Sequence, residues 1–173
     1  VLDICSTQML GAYGFLARVF GEFEKQKLSV DVLASSEVSV SLTLDKRQDS
    51  GDIDSLIKSL SSVSNVKRKN DRGILTLITD TARSSEVLAT AFRVFSESGI
   101  QVEMMSQGAS KVNISFIVPG NQLEGAIYQL HSCFFDEYCI VDDPEKMKLW
   151  REKEGEGKEG SPGTTLNGRE VAA

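Results

Sequence analysis

Two groups of residues, one segment apart, have the chemistry to hold a small zwitterion. Gly11 and Gly14 flank a turn in Met9-Leu-Gly-Ala-Tyr-Gly-Phe-Leu-Ala-Arg-Val-Phe20. Glycine lets the backbone come close to a ligand because no Cβ intervenes. A helix opening at about Gly14 has free N–H groups in its first turn, where a carboxylate is favoured. The next segment, Leu28-Ser-Val-Asp-Val-Leu-Ala-Ser-Ser-Glu-Val38, carries Asp31 near its middle, then Ser35, Ser36 and Glu37. Donors for a carboxylate and acids for an ammonium together suggest a sensor of free amino acids rather than a catalyst.

No other constellation competes. His131 is the one histidine, placed toward the end of a helical stretch without a paired nucleophile, so no catalytic or metal-binding residue is assigned. Cys5, Cys133 and Cys139 lack metal-ligand spacing and read as buried or idle thiols in a reducing compartment. Gly155-Glu-Gly-Lys-Glu-Gly160 lacks the spacing, the hydroxyl after lysine and the preceding strand of a phosphate loop. The 173 residues carry a net charge of −6, which argues against nucleic acid or an anionic membrane as partner. No apolar run nears the roughly 20 residues of a membrane span. Residues 1–10 have no basic leader, and the chain begins at Val1, so it is expected to be a piece of something longer.

The positioning elements follow from periodicity. Residues 2–8 alternate as a strand; 14–26 place Phe15, Leu16, Val19, Phe20 and Phe23 on one helical face. Residues 28–34 and 37–45 alternate again, with Val38, Val40, Leu42 and Leu44 inward. A helix over 53–61, capped by Asp52 or Asp54, and a basic edge strand over 64–71 complete a β-α-β-β-α-β order. The order then restarts: strand 73–80, helix 83–97 with Ser84 or Ser85 as cap, strands 100–106 and 111–118, helix 120–134. Ala17-Arg-Val-Phe20 answers Phe92-Arg-Val-Phe95, Leu28-Ser-Val-Asp-Val32 answers Ile100-Gln-Val-Glu-Met104, and Val38-Ser-Val-Ser-Leu42 answers Val112-Asn-Ile-Ser-Phe116. The expected fold is α+β: two tandem ferredoxin-like βαββαβ domains, antiparallel sheets with helices on one face. The first spans 1–72 and the second 73–136. Residues 137–173 form a charged tail, largely disordered, apart from a short helix over 144–153.

The strings STQMLGAYGFLARVF, LSVDVLASSEVSVSLTLD and MMSQGASKVNISFIV are similar to the regulatory tail of aspartate kinase, of the monofunctional, lysine-sensitive and plant-like type. That family's tail carries two ACT domains, which agrees with the duplicated order. The resemblance covers about residues 3–136. It implies an L-lysine site where the first ACT domains of two subunits meet, in a homodimer. Met9, Ala12, Phe15 and Leu16 would line the effector at the helix start; Ser29, Val30, Asp31, Ser35, Ser36 and Glu37 would come from the strand side. Gln107, Gly108, Ala109, Ser110 and Asn113 resemble inter-domain contacts or a second effector site. The kinase domain of the same chain, with its ATP and Mg sites, is missing, so this segment is expected to be inactive and to hold no cofactor of its own. The upstream strand that completes the family's second sheet is missing too, which implies an open edge. Gln8 stands where an arginine is common. The plant-like strings imply the plastid stroma, otherwise the cytoplasm. The rival readings are a free-standing ACT sensor or regulatory subunit, and an RNA-binding sheet, which the acidic charge and scarcity of strand aromatics disfavour.

Overall fold

In the computed structural model, residues 1–5, 13–36, 38–44, 50–108, 112–136 and 139–156 are described. The chain divides into two compact units after Arg72, with Met104–Ser106 grouped with the first. The first runs β1 (Leu2–Cys5), α1 (Phe15–Lys25), β2 (Val30–Ser35), β3 (Ser39–Leu44), α2 (Ser50–Leu60), β4 (Asn65–Arg68). Its sheet has the order β2-β3-β1-β4, and β1 pairs antiparallel with both β3 and β4. Leu2 and Ile4 lie opposite Leu42 and Val40. These four inward residues meet Phe15, Val19 and Phe23 of α1 and Ile53, Leu56 and Leu60 of α2 in one buried cluster. Period-two strands and i, i+4 helix spacing therefore produced the same core from two directions.

The outer face of this sheet carries a polar trio. The Ser41 hydroxyl donates to Asp3 Oδ1 at 2.6 Å, and Lys69 Nζ lies 3.0 Å from Asp3 Oδ2. Partial burial pushes the Asp3 carboxyl up, but the serine hydroxyl and the ammonium outweigh it and hold the group below its usual value. A carboxyl depressed on folding stabilises the fold above its unfolded pKa, and that contribution is lost as pH falls through the folded value. Asp3→Asn should therefore flatten the acid limb of stability below about pH 4. Thermal melts at pH 3 and pH 7 read this. An unchanged difference between the two pH values would remove Asp3 from the account.

The second half of the chain contains β5 (Arg72–Ile78), α3 (Ser84–Ser98), β6 (Met104–Gln107, most of which groups with the first unit), β7 (Asn113–Pro119), α4 (Leu123–Phe135) and α5 (Pro144–Glu156). Among the described residues its sheet has three strands, in the order β5-β7-β6. The core gathers Ala91, Val94 and Phe95 from α3, Ile114, Phe116 and Val118 from β7, and Ala126 and Leu130 from α4. Phe116 packs edge-on against Phe95 and Phe92, with centroids 5.0 and 5.8 Å apart. At Gly73 in β5, an added Cβ would lie 2.6 Å from Leu123 Cδ2 of α4. The Leu123 side chain fills the space that a Cβ would need there. Gly73→Ala should cost about 1–3 kcal/mol as the leucine is displaced, read as a lower urea midpoint. An unchanged midpoint would mean that Leu123 repacks freely.

Several sequence expectations shift. Val38 is exposed and precedes β3, because Ser36 and Ser39 clamp the hairpin: Ser36 N–H donates to Ser39 O at 2.8 Å and the two hydroxyls lie 2.6 Å apart. Leu16 lies on the exposed side of α1. The helix α2 begins at Ser50, so Asp52 sits in its first turn rather than capping it. In front of α3, the 3-10 turn Thr81–Arg83 is capped by Asp80, whose carboxylate accepts from Ala82 N–H at 3.0 Å; neither Ser84 nor Ser85 does this. Packed residues also continue past 136. Ile140 and Met147 are buried, and α5 covers the helix expected over 144–153 and runs to Glu156. Cys133 and Cys139 are not thiols but a disulfide, because the chain turns back beyond α4; Cys5 is free and exposed.

Candidate functional site

The helix start is built as its sequence requires. Gly14 is left-handed, φ 74°, a conformation that a Cβ would disfavour, and it provides no side-chain cap. Arg18 N–H makes the first helical bond, to Gly14 O at 3.1 Å. The amides of Phe15, Leu16 and Ala17 precede it and are left without helical acceptors. The Phe15 side chain is in the core, so what this residue can offer a ligand is its amide. Leu16 and Tyr13 are exposed beside it. Met9 and Ala12 lie outside the described residues.

The strand side is shaped by a bulge. Val30 pairs with Leu44, but Leu33 pairs with Leu42, so β2 holds one residue more than β3 between those pairs. Val32 N–H donates to Thr43 Oγ1 at 3.0 Å within this irregular stretch. Bulges bend a strand and re-aim its side chains. Asp31 sits in this one, exposed, with no hydrogen bond or ion pair to any described residue. Ser29 is exposed and Val30 half-buried against the core. Ser35 is exposed at the end of β2. The Ser36 hydroxyl is taken by the hairpin clamp, a structural role that the sequence reading missed. Glu37 lies outside the described residues.

These parts stand at two ends of the unit. Only four residues separate Lys25, the last of α1, from Val30, the first of β2, so the end of α1 lies beside the beginning of β2. Eleven helical residues extend about 16 Å, which carries the free amides toward the Ser35 end. Asp31 lies four residues, about 13 Å, before Ser35. One copy thus brings the helix start near the hairpin serines and leaves Asp31 at the far end.

In the second unit Gln107 closes β6, Gly108 follows it and Asn113 opens β7, so these three mark the β6–β7 hairpin. Ala109 and Ser110 lie outside the described residues. A groove of about 320 Å³, with no signal in the residue pattern, runs between α1 and α2, lined by Phe15, Arg18, Val19, Glu22, Lys25 and Ser59 among others. Its acid is already occupied: Glu22 holds Lys25 at 2.6 Å and accepts from the Ser59 hydroxyl at 2.6 Å. Among the described residues there is no cluster of metal-binding side chains, and no helix is long and apolar enough to cross a membrane.

Residues 80–134 match the family described as the ACT domain. That match takes in α3, β6, β7 and most of α4 of the second half of the chain. The chain is 47% identical over 144 residues to aspartokinase 2, chloroplastic, of Arabidopsis thaliana, across 79% of its own length and 26% of that protein's. It therefore spans about a quarter of that relative, matching the C-terminal regulatory region. Two solved structures agree. Escherichia coli aspartokinase III in complex with lysine and aspartate (T-state) is 32% identical, with a TM-score of 0.65, covering 78% of this chain and 30% of that one. The same enzyme in complex with aspartate and ADP (R-state) is 36% identical, with a TM-score of 0.68, covering 78% and 31%.

Proposed function

We propose that this chain is the regulatory part of an aspartate kinase and that it binds L-lysine to bring about feedback inhibition. The carrying observation is the separation of two ligand-ready groups in one copy. The open helix start can take an α-carboxylate and Asp31, which bonds to no described residue, can take an ammonium, yet they stand at opposite ends of α1 and β2. A second copy related by a two-fold axis can set one copy's helix start against the other's Asp31. Two equivalent sites then form across a homodimer. The similarity to an aspartokinase solved with lysine supports lysine as the ligand.

Inhibition follows by linkage. Lysine binding one state better than another shifts the equilibrium by that difference in affinity, and the kinase active site responds to the same equilibrium. ATP, magnesium and aspartate would be handled by a kinase domain joined to this region, in the plastid stroma. No side chain is assigned a catalytic role here. Titration calorimetry with lysine, threonine, leucine and aspartate, coupled to sedimentation of the same samples, tests the reading. Lysine should give heat and a dimer. Silence from all four up to about 10 mM, or lysine binding to a monomer, would end it.

A further inference from the structure

Beyond the effector site, the second unit holds a cluster of side chains with redox chemistry. We propose that Cys133–Cys139 is a reversible thiol–disulfide switch that fastens residues 139–147 across α4 when oxidised and releases them when reduced. The disulfide joins the last turn of α4 to the segment that follows. Three further contacts meet at the same place. The Ser132 hydroxyl accepts from Ile140 N–H at 3.3 Å, Arg93 of α3 pairs with Asp142, and Arg93 Nη2 lies 3.5 Å from Cys139 Sγ. Ile140 and Met147 are buried in the fastened form, and Cys139 and Val141 pack against the core.

The arrangement also contains an opposing force. Gln129 lies three residues before Ser132 on the same side of α4. It is fully buried, and among the described residues neither its Nε2 nor its Oε1 has a hydrogen-bond partner. A buried amide without partners is unfavourable, and water would satisfy it if the segment lifted. The covalent link holds down a surface that burial of Gln129 works to open.

The chemistry needs one co-reactant, a dithiol carrier. A carrier thiolate attacks Cys133 Sγ, the Cys133–Cys139 bond breaks, and Cys139 leaves as a thiolate beside the Arg93 guanidinium, which stabilises that charge. The carrier's second thiolate then attacks the carrier sulfur of the mixed disulfide and releases Cys133. The carrier ends as a disulfide, and the chain has gained two electrons and two protons. Reoxidation reverses each step against an oxidised carrier.

Dithiothreitol serves as the carrier in the test, on the full chain. Iodoacetamide should label one thiol, Cys5, before reduction and three after it. Amide hydrogen exchange over 139–147 should be about tenfold faster after reduction, with β7 unchanged. The Cys133→Ser, Cys139→Ser double variant should exchange at the fast rate under both conditions. Gln129→Met should slow exchange in the reduced chain toward the oxidised rate. Arg93→Gln should slow labelling of Cys139 in the reduced chain at constant pH. Three labelled thiols after incubation with oxidised dithiothreitol, or equal exchange over 139–147 in both redox states, would overturn the switch. Unaltered exchange in Gln129→Met would overturn the part assigned to the buried amide.

Discussion

Phe116→Ala should destabilise the second unit by about 3–5 kcal/mol. The side chain is fully buried on β7, and its ring meets two others edge-on, with the Phe95 centroid at 5.0 Å and Phe92 at 5.8 Å. Truncation removes its apolar burial and both ring contacts, and leaves a cavity among α3, β7 and α4. The measurement is urea unfolding followed by hydrogen exchange over β7 and α3. The first unit has its own core, so its amides should keep their protection until its own transition. A loss below about 1 kcal/mol would mean that the neighbouring helices collapse into the space, and Phe116 would lose its central place.

Asp31→Ala should abolish the response to lysine and leave the fold as it is. The side chain is exposed and bonds to no described residue, so the unliganded stability should change by no more than about 0.5 kcal/mol. Lysine at a hundred times its Kd should stabilise the unaltered chain by about 2.7 kcal/mol, and the variant by nothing measurable. Mixing is the stronger form of the experiment. A dimer of one unaltered and one Asp31→Ala chain should retain one of two sites, since each copy contributes one acid to the pair of sites. A variant that binds lysine normally would remove Asp31 from the site. A mixed dimer with two intact sites would likewise remove Asp31 from the site.

The fold was legible because the chain states it twice. Leu28 and Ile100 both enter a core, as do Val40 and Ile114, and Leu42 and Phe116. Internal repetition turns two weak periodic signals into one strong one. What escaped was local and depended on partners distant in sequence or on backbone detail. Val38 continued the alternation of its strand, but the Ser36–Ser39 clamp ended that strand first. The capping signal before α3 lay in Asp80, in front of a 3-10 turn that periodicity does not register. Cys133 and Cys139 read as separate thiols because no pattern along α4 announces the turn that reunites them. Within the site, the glycine turn and Asp31 were visible as residue types. Their separation to opposite ends of the unit was not, since it depends on the short passage from Lys25 to Val30.

The additional residue in β2 has a consequence for variation among related chains. Facing pairs whose numbers sum to 74 at Val30 and Leu44 sum to 75 at Leu33 and Leu42, so the strand changes parity midway. The acid and the hairpin serines are therefore phased independently, each by its own half of the ladder. A one-residue deletion at 31–32 would do more than shorten the strand. It would make the parity uniform and turn whatever acid remained to the other side of the sheet relative to Ser35. In any homologue, that count is a quick reading of whether the acid still looks outward.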